Sequence, residues 1–119
     1  MKTILLVDDE PSVASAWKRL LQLEGYRVVT ASDGHAGLVV AKEAAPDLII
    51  TDRAMPILDG VEFCRQLKLE PELARIPLIL TSAEPLRPGD TGRWDEFWQK
   101  PVPIETIRAS LLRLVSCSG

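Results

Sequence analysis

This sequence predicts an α/β fold in which a parallel sheet is covered by helices on both faces. Three observations carry that expectation. Short apolar runs recur at residues 4–7, 28–31, 48–51 and 78–81, and a weaker one covers Phe97 and Trp98. The runs are continuously apolar instead of alternating, which is the pattern of strands buried on both faces. Segments of helical period separate them, so the order reads as βαβ units with right-handed crossovers in a doubly wound sheet.

Each helix has its own signals. Pro11 suits a first helical position, where its missing N–H costs nothing. Val13, Ala16, Trp17, Leu20 and Leu21 then form one stripe, and Gly25 ends it. Residues 34–45 read as a second helix stopped by Pro46, weakened by Gly37, Val39 and Val40. Residues 59–69 read as a third. Pro103 opens the last, whose stripe is Ile104, Ile107, Leu111, Leu114 and Val115. The connection before the fifth strand is different. Residues 85–92 contain two prolines and two glycines, a composition that favours turns, so a helix there is expected to be short or irregular.

The chain has 119 residues, the size of one domain, so a single domain over 1–119 is expected. Acids outnumber bases 17 to 14, for a formal charge of −3, which argues against direct nucleic-acid binding through the phosphate backbone. No apolar run approaches the ~18 residues of a membrane span, and no signal-peptide cleavage site follows Met1-Lys2-Thr3. A cytoplasmic location is expected. Cys64 in a helix and Cys117 in a short polar tail lack metal spacing and read as reduced thiols.

In open parallel sheets, chemistry collects beyond the carboxyl ends of the strands. Asp8, Asp9 and Glu10 follow the first run, Asp52 ends the third, Thr81 and Ser82 end the fourth, and Lys100 follows the fifth. Carboxylates crowded at one edge repel each other and resist ionisation. A divalent cation relieves that, and an all-oxygen site suits Mg²⁺. A hydroxyl and a lysine facing such a site are what an incoming phosphoryl group requires.

These residues also carry a family resemblance. Ile4-Leu5-Leu6-Val7-Asp8-Asp9-Glu10-Pro11 resembles the first strand and acidic pair of response-regulator receiver domains of bacterial two-component signalling. Asp52-Arg53-Ala54-Met55-Pro56-Ile57-Leu58-Asp59-Gly60 resembles their phosphoacceptor loop. Pro77-Leu78-Ile79-Leu80-Thr81-Ser82-Ala83 resembles their fourth strand, and Lys100-Pro101 their Lys-Pro step, usually a cis peptide. The resemblance covers essentially the whole chain, and four motifs in order make it specific.

It implies a flavodoxin-like (βα)5 fold with strand order 2-1-3-4-5. It implies Asp52 as acceptor of a phosphoryl group from a histidine kinase or histidine phosphotransfer protein. Asp9, Asp52 and the Ala54 carbonyl are the implied Mg²⁺ ligands, with Asp8 holding a metal-bound water. Ser82, directly before Ala83, is the implied hydroxyl, and Lys100 the cation for a phosphoryl oxygen. Phe97 matches the aromatic that switches with Ser82. The protein would not be an enzyme acting on a separate substrate, though it would assist its own phosphorylation and dephosphorylation. A protein partner would read the change.

Departures from the pattern lie between Ser82 and Lys100. The stretch is a few residues short, and Arg93-Trp94 stands where the family commonly has Gly-Ala. Dimerisation through the usual face is therefore not expected, and the domain should be monomeric. The chain ends just past the last helix, which fits a stand-alone receiver or the N-terminus of a longer regulator.

Other readings fit less well. A receiver that kept only the fold would not need Asp52, Ser82 and Lys100 together. An aspartate-nucleophile phosphatase commonly carries an acid two residues on, where Ala54 stands. A flavin carrier of this fold needs a hydroxyl- and Gly-rich loop where Asp8, Asp9 and Glu10 would repel its phosphate. No Gly-x-x-x-x-Gly-Lys-Ser/Thr loop is present. His35 reads as solvent-facing and Trp17 as core, while Trp94 and Trp98 fit either core or partner surface.

Overall fold

The computed structural model describes residues 1–55, 57–90 and 92–117. The strands are β1 (Thr3–Val7), β2 (Arg27–Ala31), β3 (Leu48–Asp52), β4 (Leu78–Ser82) and β5 (Glu96–Gln99). The helices are α1 (Pro11–Leu23), α2 (Gly34–Ala44), α3 (Gly60–Leu69) and α4 (Ile104–Cys117). All strands pair in parallel, as the apolar runs predict, in the order β2-β1-β3-β4-β5 that the resemblance implies.

Side chains alternate between the faces of a strand, and here both faces are buried. Ile4 and Leu6 of β1 face Leu21 of α1 and Ile107, Leu111 and Val115 of α4. Leu5 and Val7 face Ala41 of α2 and Phe63 and Leu67 of α3. On the α1–α4 side, Trp98 of β5 is buried, and its ring stacks on Trp17 with centroids 5.9 Å apart. Cys64 is buried in α3, and burial pushes its thiol up to about 12, which suits an inert thiol.

The helix starts sit on acids that follow strands or turns. Asp33 caps α2 by accepting the Ala36 N–H at 2.8 Å, and Asp59 caps α3 by accepting the Glu62 N–H at 2.9 Å. Glu10 plays the same part for α1, whose first residue is Pro11. The last helix continues to Cys117, so the polar tail predicted at that position is helical as far as Cys117. The remaining tail, Ser118 and Gly119, lies outside the described residues, as does Pro56 of the phosphoacceptor-loop motif.

Between β4 and β5 the described residues contain no helix at all. The sequence predicts a short or irregular one, and Pro85, Pro88 and Gly89 account for its loss. Thr91 of this stretch lies outside the described residues. Trp94 supplies the cover that a helix would give, packing half-buried against the α2–α3 core. It folds back over Gly92, where a Cβ would fall 1.6 Å from the indole.

Gly60 fixes the contact between α3 and the sheet edge. A Cβ there would lie 2.2 Å from the Asp52 carbonyl oxygen and 2.8 Å from the Arg53 Cα, both backbone atoms that have little room to move. Gly60→Ala should therefore destabilise the fold by about 2 kcal/mol, an overpacking cost. Urea denaturation checks this, with Gly89→Ala, which meets nothing within 4 Å, as the mild comparison.

Candidate functional site

Strand register brings the acids together. Val7 pairs with Thr51, so Asp8 and Asp52, the next residue of each strand, come level at the carboxyl edge. Asp9 follows at the start of the exposed turn into α1. One carboxylate oxygen from each of Asp8, Asp9 and Asp52 lies within 4.8 Å of the others. Asp8 is buried, Asp52 half-buried and Asp9 exposed.

Lys100 reaches this group from the end of β5. Its Nζ donates to Asp52 Oδ1 at 3.4 Å and lies 3.9 Å from Asp8 Oδ2. The backbone carries it there, since the Lys100 N–H bonds the Ser82 carbonyl at 2.8 Å and the Lys100–Pro101 peptide is cis. Asp52 Oδ1 also accepts the Arg53 N–H, and Asp8 Oδ1 the Glu10 N–H, each at 3.0 Å. Burial raises the Asp8 carboxyl above its usual value, and the charges of Asp52 and Asp9 add to the effect. The Glu10 N–H and Lys100 pull it down without cancelling the rise.

A cavity of about 230 Å³ opens beside Asp52, lined by Arg53, Ala54, Ser82, Ala83, Glu84, Arg87 and Lys100. The two hydroxyls of β4 part company here. Thr81 is buried and donates to the Thr51 carbonyl at 3.4 Å, inside the sheet. Ser82 lines the cavity and accepts the Glu84 N–H at 3.1 Å, leaving its proton to donate. Phe97 lies half-buried on β5, level with Leu80. His35 is exposed.

The structure thus gathers Asp8, Asp9, Asp52, Ala54, Ser82 and Lys100 at one edge. It also adds residues that the sequence reading passed over. Arg53 donates from Nε to Asp90 Oδ2 at 3.1 Å and from its terminal nitrogen to Asp90 Oδ1 at 2.7 Å. The Arg53 side chain is 15% exposed and that of Asp90 9%, so the fork is largely dry. At a separation of 37 positions, no spacing rule pairs these two. The one hint is Pro88-Gly89-Asp90, a turn sequence with an acid to bind its own backbone.

The chain matches the response regulator receiver domain family over residues 4–111 and belongs to it. Members are receivers of two-component signalling. The chain is 31% identical over 120 residues to a DNA-binding dual master transcriptional regulator of Synechocystis sp., covering 97% of this chain and 49% of the relative. It spans about half the length of that relative. The receiver domain of a signal transduction histidine kinase from Syntrophus aciditrophicus superposes with a TM-score of 0.91 at 33% identity, covering 98% of this chain and 92% of that one. The receiver domain of a sensor histidine kinase from Pseudomonas aeruginosa superposes with a TM-score of 0.89 at 28% identity, covering 97% and 98%. That structure has a magnesium ion coordinated in the active site cleft. Among the described residues of this chain, no helix is long and apolar enough to cross a membrane.

The raised Asp8 carboxyl has a stability consequence. Its charged form is the unfavourable one in the folded state, so its cost is full above the folded value, fades as pH falls through it, and is gone below the ordinary carboxylate value. Asp8→Asn, which keeps an oxygen for the Glu10 N–H, should raise the thermal midpoint at pH 7 without divalent cations. The gain should shrink towards pH 4. Thermal melts of both proteins across that range check the sign.

Proposed function

We propose that this domain is a phosphoryl-accepting switch in which Asp52 is the acceptor and Mg²⁺ the required cation. The observation that carries the reading is the convergence of Asp8, Asp9 and Asp52 within 4.8 Å, with Lys100 3.4 Å from Asp52. The donor set is all oxygen, which fits Mg²⁺ better than Zn²⁺, and only one lysine offsets three carboxylates. Asp9, Asp52 and the Ala54 carbonyl would hold the cation directly, with Asp8 on a bound water. When bound, it supplies charge neutralisation for the acids and for the phosphoryl oxygens.

Asp52 would attack the phosphorus of a phosphohistidine in line. The new bond is Asp52 Oδ to phosphorus, the bond that breaks is phosphorus to imidazole nitrogen, and the electron pair returns to the ring. Lys100 would turn from the free carboxylate to a phosphoryl oxygen, and Ser82 would donate its hydroxyl to another. Phe97 would follow Ser82, coupling the site to β5. The reverse fate is hydrolysis by water at the same phosphorus, assisted by the same residues. No separate substrate is turned over.

The donor would be a histidine kinase or a histidine phosphotransfer protein, and the reader a protein partner. We assign residues 1–119 to one receiver unit that stays monomeric and makes no direct contact with nucleic acid. The loop that replaces a helix between β4 and β5 supports that reading, because it offers no rigid helical face for self-association.

Incubation with acetyl phosphate and Mg²⁺ should add one phosphoryl group to the wild-type chain by intact mass and none to Asp52→Asn. Equal uptake by that variant would end the assignment. Asp9→Ala should weaken Mg²⁺ binding and phosphorylation together, at least tenfold for the loss of one charged ligand, as read by titration. Sedimentation of the beryllofluoride-bound protein should give a monomer. A shift to dimer that substitutions on α4 abolish would contradict the monomeric reading.

A further inference from the structure

We propose that Arg87 is a second phosphoryl-binding cation beside Lys100, held at the Asp52 cavity by a turn that the Arg53–Asp90 ion pair anchors. This rests on the reading of Asp52 as phosphoacceptor and extends it to a residue of the loop that replaces a helix.

Three cationic side chains line the cavity: Arg53, Arg87 and Lys100. Lys100 is shared between Asp52 and Asp8. Arg53 is committed to Asp90 through both carboxylate oxygens. Arg87 contacts Glu84 at 3.7 Å, and both side chains of that pair are well exposed, at 65% and 73%. Exposed pairs of this kind are weak and exchange partners readily. Arg87 is therefore the cation of the cavity wall that is able to change partner.

Its backbone does not share that freedom. The Arg87 N–H donates to Asp90 Oδ2 at 2.8 Å, and the Asp90 N–H donates to the Arg87 carbonyl at 2.9 Å. The carboxylate that closes this turn is the one Arg53 grips, and Arg53 directly follows Asp52. The Arg53 guanidinium and the Arg87 N–H hold the Asp90 carboxyl below its usual value, so the anchor stays charged at neutral pH. Chain connectivity thus ties the position of Arg87 to the acceptor through one ion pair.

Charge supplies the demand. Phosphorylation replaces one carboxylate charge with a group carrying close to two, together with three strong acceptor oxygens. Lys100 is a point charge already drawn to Asp8. A guanidinium offers parallel donors that match a phosphoryl group, and it binds such groups in preference to a single exposed carboxylate. Arg87 would leave Glu84 for the phosphoryl oxygens, and the loop would move with it.

The test is titration of beryllofluoride with saturating Mg²⁺, followed by calorimetry. Arg87→Ala should bind about tenfold more weakly than wild type, the worth of one charge-assisted contact, and Arg87→Lys should recover part of the loss. Asp90→Ala should weaken binding in the same direction, with little added by combining it with Arg87→Ala. Arg108→Ala, on the far side in a pair with Glu24, should bind as wild type does. Mg²⁺ affinity alone should not fall in Arg87→Ala. If wild type binds and Arg87→Ala matches it, or Arg108→Ala loses as much, or Mg²⁺ affinity falls in step, the role of Arg87 is refuted and the Asp52 reading stands. If wild type with Mg²⁺ does not bind beryllofluoride, that reading fails and this proposal with it.

Discussion

Three carboxylates held beside one lysine are the constraint on which the rest of this structure turns. The parallel pairing of Val7 with Thr51 leaves Asp8 and Asp52 no choice of neighbour, because each is the next residue of a strand buried on both faces. The repulsion is local, and the apolar packing that opposes it is spread over two core layers. Lys100 moderates it from a third strand, and its own backbone is bonded to the fourth. Site and sheet are therefore one mechanical object. A change of charge at Asp52 acts directly on β1, β3 and β5, and through the Lys100 N–H on β4.

The segment between β4 and β5 shows how the fold tolerates a missing helix. Its two jobs have passed to different residues. Trp94 covers the core from above Gly92, and Arg53 ties the loop to the end of β3 through Asp90. One contact is apolar and non-directional, the other charged and forked. The loop is thus positioned at two points without being regular in between.

Much of this was legible in the sequence. Continuous apolar runs mark β1, β3 and β4 because a strand covered on both faces has no polar side to show, whereas the edge strand β2 leaves Thr30 exposed. The acids and lysine were legible because chain order alone sends them to one edge once the strands are parallel. Ser82 was separated from Thr81 by likeness to a family motif, and the geometry gives a reason to look there: Thr81 spends its hydroxyl on the Thr51 carbonyl. The sequence leaves Trp98 open between core and surface, because its stacking on Trp17 is a long-range contact between α1 and β5 that no periodicity reports. The Arg53–Asp90 pair was invisible for the same reason. So was Glu96, which accepts from Ser110 and Arg113 of α4 and ties the edge strand to the last helix.

Trp94 has a further meaning for local stability. Helices protect the sheet beneath them with their own cooperative hydrogen-bond ladders, whereas a single indole over a glycine has none. The β4 end nearest this cover is closed by side chains instead: the Leu78 N–H donates to Asp95 Oδ2 at 2.7 Å, and that carboxylate lies 3.9 Å from Lys68 Nζ. Opening of the loop between β4 and β5 breaks no helix among the described residues, so it costs less than opening β4 itself, which is buried along its length. Local opening is therefore expected to begin in this loop, whose Arg53–Asp90 contact joins it to the residue after the acceptor, while the strands beneath stay closed.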